Sequence, residues 1–108
     1  MSDTTVVIVY TLYADIETAQ QVAAEMVQGR LAACANILSP SRSCYMWNGL
    51  FEQQSEYPVL FKTTEEQREM LMARLAQGHP YDIPAILSWT ADSASPYALW
   101  VREMTGKL

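Results

Sequence analysis

Histidine is almost missing from this sequence: His79 is the only one in 108 residues. Cysteine is nearly as scarce, with Cys34 and Cys44 the only two. No CxxC or HxxxH spacing occurs, so the dense ligand patterns that build zinc sites are excluded. The start of the chain has no basic segment leading into a long apolar run, and two thiols make no disulfide framework. A reducing, cytoplasmic setting is therefore expected. Basic residues are outnumbered seven to twelve, giving a formal net charge of −5. That excludes a general attraction to nucleic acid or to anionic lipid. No stretch approaches the roughly 20 apolar residues of a membrane span. Of the four glycines, none falls in a P-loop or a dinucleotide fingerprint. A GxSxG elbow is also absent, and no serine or cysteine has an identifiable histidine partner beyond His79. An enzyme is not expected, and Glu56 with His79 is the one conceivable acid–base pair.

Half the residues are apolar and 18% are charged, the balance of an ordered chain rather than a disordered one. The length fits a single domain over residues 1–108, burying roughly 60 to 70% of the surface its unfolded form exposes. The organising stretch runs from Asn36 to Thr63. It reads as two long strands joined at Asn48-Gly49, a pair that tolerates the positive φ of a primed turn. A hairpin of that length projects beyond a small domain, with Met46, Trp47, Leu50 and Phe51 at its tip.

Around it, Val6–Tyr10 is a continuous apolar run, expected as a central strand that Thr11–Ala14 closes. Asp15 is the expected cap of a helix with Ile16, Ala19, Val22, Ala23, Met26 and Val27 on its apolar stripe, ending near Gly29 or just beyond. Pro40 interrupts or bulges the first hairpin arm. After the second arm, Thr64 and Gln67 suggest a capping box, with Met70, Leu71 and Leu75 as the buried stripe and Gly78 as the stop. His79-Pro80-Tyr81 leads into a fourth strand over Ile83–Thr90. Ser95 is the expected cap of a last helix, with Pro96 first inside it and Tyr97, Trp100, Val101 and Met104 on its apolar face.

This order spells an α+β fold: a ferredoxin-like split βαβ with an antiparallel sheet, a long hairpin between its second and third strands, and an extra C-terminal helix. Two helices cover one face of such a sheet. The other face here is too apolar to meet water, given Val6–Tyr10 and the run Tyr57, Val59, Leu60 and Phe61. Either the third helix folds back over it in a monomer, or a homo-oligomer buries it.

The residues between these blocks carry a resemblance. Ser43-x-Tyr45-x-Trp47-x-Gly49, then Glu52, Glu56 and Lys62-Thr63, then His79-Pro80-Tyr81-x-x-Pro84, and Tyr97-x-x-Trp100 resemble the CutA divalent-cation-tolerance family. Leu31–Ile37 is similar to that family's run between its first helix and second strand. The likeness extends from about Val6 to Val101. It implies a ferredoxin-like subunit in a stable homotrimer, the hairpin contributing to intersubunit sheets. It also implies tolerance of copper and other divalent cations in place of catalysis. The family looks like the PII signalling proteins in fold and assembly, so a trimer sensing a small anion or metabolite in its intersubunit clefts is the competing expectation.

Metal chemistry has thin support in the residues themselves. His79 could bind Cu(II) or another divalent cation with carboxylate oxygens completing the shell, or it could simply hydrogen-bond its turn. The cysteine and second histidine of some copper-binding relatives correspond to Tyr10 and Gly78, and a usual glutamate corresponds to Ala85. Cys34 and Cys44 read as buried thiols in apolar surroundings, and Met26, Met70 and Met104 as core. Glu56 and Lys62 share a strand face, which with Glu52, Tyr81 and His79 makes a constellation that could hold a ligand or fix assembly register.

Overall fold

Two strands at the middle of the sheet, β1 (Thr5–Tyr13) and β4 (Leu50–Thr63), set the rest of the fold. The structure is a computed structural model and describes residues 4–107. Between these strands lie α1 (Ile16–Gln28), β2 (Cys34–Ile37) and β3 (Ser41–Trp47); after them come α2 (Glu65–Gly78), β5 (Leu87–Asp92) and α3 (Ser95–Glu103). The sheet runs β2-β4-β1-β5 with every pair antiparallel, the arrangement of a split βαβ fold. β3 pairs with the outer half of β4, from Ser41 opposite Glu56 to Trp47 opposite Leu50. The hairpin therefore stands out from the sheet, and the molecule measures 45 × 24 × 23 Å. Its turn is as expected, with φ of 52° at Asn48 and 79° at Gly49.

Alternation on β1 divides the protein into two faces. Val7, Val9 and Tyr13 point to one side, where they pack with Val59, Phe61, Ala19, Met26, Leu71 and Leu75 under α1 and α2. Val6 and Ile8 point to the other, where Ala33, Ala98 and Val101 join them under α3. The third helix thus covers only one end of the second face. Further along, Tyr10 and Leu60 are half-buried, while Leu87 and Trp89 of β5 are 55% and 46% exposed. The hairpin tip is barer still, with Met46, Leu50 and Phe51 each more than 60% exposed.

Several boundaries differ from expectation, each for a local reason. β1 continues through Thr11 to Tyr13, because β4 is long enough to pair with it as far as Tyr57. The first hairpin arm breaks into β2 and β3 on either side of residues 38–40, where Pro40 has no N–H for a ladder. The last strand starts at Leu87 rather than Ile83, since β1 is registered with β5 only as far as Tyr10. Asp15 caps α1 as foreseen, accepting from the Thr18 N–H at 2.8 Å. Thr64 precedes α2 without a side-chain cap bond, and Met70 faces outward at 58% exposure while Leu71 and Leu75 are buried. Ala94, not Ser95, is the cap of α3, whose buried residues are Ala98 and Val101, leaving Tyr97, Trp100 and Met104 partly exposed. Of the three methionines expected in the core, only Met26 is buried. Cys34 and Cys44 are free thiols, one half-buried and the other exposed.

The end of α1 and the chain beyond α3 are locked together. Arg30 adopts a left-handed φ of 63°, and its guanidinium donates to the carbonyls of Gly106 and Glu103, both at 2.7 Å. The Gly106 N–H returns a bond to the Arg30 carbonyl at 2.9 Å.

Core position and sequence pattern part company at Met70 and Leu71. Leu71→Ala, which empties a fully buried site, is expected to cost about 2–5 kcal/mol in urea unfolding. The neighbouring Met70→Ala is expected to stay within about 0.5 kcal/mol of wild type.

Candidate functional site

Where the uncovered sheet face meets the base of the hairpin, a pocket of about 430 Å³ opens. Strand alternation builds one wall. The tight turn sets Tyr45 opposite Glu52, Ser43 opposite Gln54 and Ser41 opposite Glu56, so Tyr45, Trp47, Glu52, Gln54 and Glu56 all face the cavity. Leu12 of β1 supplies part of the floor, and Tyr81, Asp82, Ile83 and Ala85 of the α2–β5 connector close the far side. Three of the lining side chains are carboxylic acids and none is basic.

Glu56 is the deepest of the three acids, only 7% exposed. The Tyr81 hydroxyl donates to its Oε2 at 2.7 Å, the partner a buried carboxylate requires. Burial, then the bond and charge of Glu56, push the Tyr81 phenol well above its ordinary ionisation range. Tyr45 donates to Glu52 Oε1 at 3.3 Å. Desolvation first, and the Glu52 charge second, raise the Tyr45 phenol as well. Both tyrosines therefore stay neutral donors over the whole physiological range, held against carboxylates that accept.

His79 lies beside the pocket rather than in it. Its Nε2 is 2.9 Å from the Leu12 carbonyl, and its Nδ1 accepts from the Tyr81 N–H at 3.2 Å. Because Nδ1 accepts, the ring proton belongs on Nε2, which donates to Leu12. The ring stacks on Tyr13 with centroids 4.6 Å apart and planes 13° from parallel. Neither nitrogen keeps a lone pair for a metal. Among the described residues, no group of three or more His, Cys, Asp or Glu side chains could hold a metal ion within one chain.

Of the residues singled out from sequence, Glu52, Glu56 and Tyr81 come together, with His79 behind Tyr81. Lys62 does share the face of Glu56 but sits about 20 Å further along the strand at ~3.3 Å per residue. There its ammonium donates to Asn36 Oδ1. The lining roles of Tyr45, Gln54 and Asp82 were not anticipated. The first two were readable: once Asn48-Gly49 fixes the turn, period-two counting puts residues 45, 47, 52, 54 and 56 on one side. Asp82 lies in a connector whose path no periodicity specifies.

This fold and sequence are similar to those of known proteins. Residues 7–104 match the family model described as CutA1 divalent ion tolerance protein. The chain is 39% identical over 102 residues to the divalent-cation tolerance protein CutA of Pyrococcus horikoshii, covering 94% of this chain and 99% of that one. The CutA structure from Synechococcus elongatus is similar, with a TM-score of 0.90, 35% identity, and coverage of 95% of this chain and 92% of that one. CutA1 from Ehrlichia chaffeensis superposes with a TM-score of 0.91 at 27% identity, over 98% of this chain and all of that one.

The His79 environment has a titration consequence. Burial holds its imidazolium below the usual range, against the opposing pull of the Leu12 carbonyl and the Glu56 charge. A depressed basic pKa means that the folded state favours the neutral ring. Its stability contribution is then present in full above about pH 6.5, the ordinary imidazole value. As pH falls below that value the unfolded chain takes up the proton first, and stability drops until the folded-state value is passed. Unfolding free energy measured across this window should decline in wild type, and His79→Gln should remove that part of the slope.

Proposed function

Since the chain belongs to the CutA1 divalent ion tolerance family, we propose that it works in the cytoplasm as a homotrimeric cation-tolerance protein. The acidic pocket lies at the subunit boundary and takes its ligand there. The observation that carries the ligand reading is the pocket lining: Glu52, Glu56 and Asp82 face one cavity with no basic side chain among them. Such a site attracts cations and repels small anions. Its donors are oxygens, which suit weak and exchangeable capture of a divalent cation more than permanent retention of a soft ion. A divalent cation is on this reading a cargo, and a neighbouring subunit completes its surroundings. The protein is a tolerance protein, not an enzyme.

Assembly has separate support. The sheet face beyond α3 and the hairpin tip together expose Leu87, Trp89, Met46, Trp47, Leu50 and Phe51. Large aliphatic and aromatic side chains exposed in two such clusters mark surfaces of interaction rather than the scattered single apolar residues of an ordinary monomer. A closed trimer buries them without leaving a free edge that could propagate a fibre. No helix among the described residues is long and apolar enough to cross a membrane, so a bilayer-spanning helix offers no alternative cover.

A second reading has one observation in its favour. The same pocket carries Leu12, Trp47 and Ile83 as well as its acids, and apolar walls around convergent polar groups suit an organic solute. On that reading the trimer senses a small molecule in the manner of the PII proteins.

Sedimentation equilibrium should return about three times the 12.2 kDa mass of the chain, and a monomer would sink the assembly. Calorimetric titration of Cu(II), Zn(II) and nucleotides into wild type and Glu56→Gln separates the two ligand readings. Divalent cations should bind, with roughly tenfold weakening when the Glu56 charge is removed. Equal cation binding by both proteins would take the pocket out of the site. Nucleotide binding without cation binding would favour the sensing role.

A further inference from the structure

The chain changes direction between the end of α2 at Gly78 and the start of β5 at Leu87. This connector supplies Tyr81, Asp82, Ile83 and Ala85 to the pocket, yet it belongs to no strand or helix that would fix its position. Something else must hold it. Leu12 lies beyond Tyr10, the last residue of β1 registered with β5. On that side the half-buried Leu12 carbonyl has no β5 residue opposite it to donate. His79 Nε2 donates to it at 2.9 Å. The opposite nitrogen accepts the Tyr81 N–H at 3.2 Å, closing a tight loop in the way an asparagine side chain accepts from a backbone N–H two residues on. Tyr13, only 1% exposed, covers the imidazole face at 4.6 Å. The ring of Tyr81 leans against the same imidazole with centroids 4.7 Å apart.

From this geometry we propose that His79 is a positioning residue and not a metal ligand: its imidazole bridges the end of β1 to Tyr81 and thereby holds the Tyr81 hydroxyl on Glu56. Turning either nitrogen toward a metal would break a bond to Leu12 or to Tyr81. Losing the Tyr81 bond would leave the Glu56 carboxylate, only 7% exposed, short of its donor, an expensive change for so buried an acid. The imidazole therefore acts on the pocket at one remove. It touches no ligand, but it fixes the residue that orients the deepest acid. The assignment holds whichever ligand the pocket takes, and its failure would leave the cation reading intact.

Because the sequence contains a single histidine, long-range ¹⁵N NMR of uniformly labelled wild type reports on this ring alone. Near pH 7.5 the neutral ring should carry its proton on Nε2, and saturating Zn(II) should leave both nitrogen shifts unchanged. The opposite tautomer, or a nitrogen moving to a zinc-bound shift, would overturn the proposal without any variant having to fold. The positioning role is read separately from the Tyr81 phenol, as the difference in tyrosinate absorbance between each protein and its Tyr81→Phe counterpart. His79→Asn keeps an acceptor two residues before the Tyr81 N–H and should keep the phenol raised. His79→Ala keeps neither bond and should let it fall toward the ordinary value of about 10. No change in His79→Ala would refute positioning. An equal fall in both variants would assign the effect to lost packing on Tyr13 and also refute the hydrogen-bonded role.

Discussion

The pairing of β1 with β4 is the constraint from which the rest of the structure follows. Seven residues of each strand are in register, from Val7 opposite Thr63 to Tyr13 opposite Tyr57. In that register Val9 and Phe61 point one way, and Tyr10 and Leu60 the other. A slip of one residue would turn Val9, Val59 and Phe61, all fully buried, away from α1 and α2. The same register determines how far β4 extends past the sheet to become the outer arm of the hairpin. It also sets where β1 outruns β5, leaving the Leu12 carbonyl for His79. Core, hairpin and pocket are thus three consequences of one strand pairing.

The pairing also creates an imbalance. Two helices of 13 and 14 residues cover one face of the sheet, while the nine-residue α3 reaches only one end of the other. Its C-terminal end is tied there by the Arg30 bonds to the carbonyls of Gly106 and Glu103. In this structure the C-terminal helix therefore leaves Leu87 and Trp89 on that face exposed. The acidic pocket opens on the same uncovered face, which is why assembly and ligand capture belong together in the proposed function.

Much of the fold was legible because periodicity and turn chemistry act locally. Val6–Tyr10, the Asp15 cap and the Asn48-Gly49 turn each announce themselves within a few residues. The misplacements have a common cause, since they depend on a partner distant in sequence. Met70 satisfies a helical stripe as well as Leu71 does, and only the position of the sheet decides that Leu71 is buried. The start of β5 depends on where β1 stops offering a neighbour, and Ile83 has the composition of a strand residue without a strand to pair with. The site divides in the same way. Glu52 and Glu56 follow from hairpin register, whereas Asp82 and Lys62 required knowing the connector path and the length of β4.

His79 shows most clearly why residue type alone misleads. A lone histidine beside a proline, in a chain resembling a cation-tolerance family, invites a metal. Imidazole is a ligand only while it has a free lone pair, and the backbone competes for both of its nitrogens. Here the competition is decided by a carbonyl that the sheet leaves without a donor and an amide that the connector leaves without an acceptor. Both are products of topology, and neither is visible in the spacing of side chains. The carboxylates offer the contrasting case. Glu56 is bound by one hydrogen bond from Tyr81 and Glu52 by one from Tyr45, and an ionised carboxylate has about four acceptor positions. On the proposed reading, acceptor positions for a cation remain on these oxygens, while both imidazole nitrogens are hydrogen-bonded to the backbone.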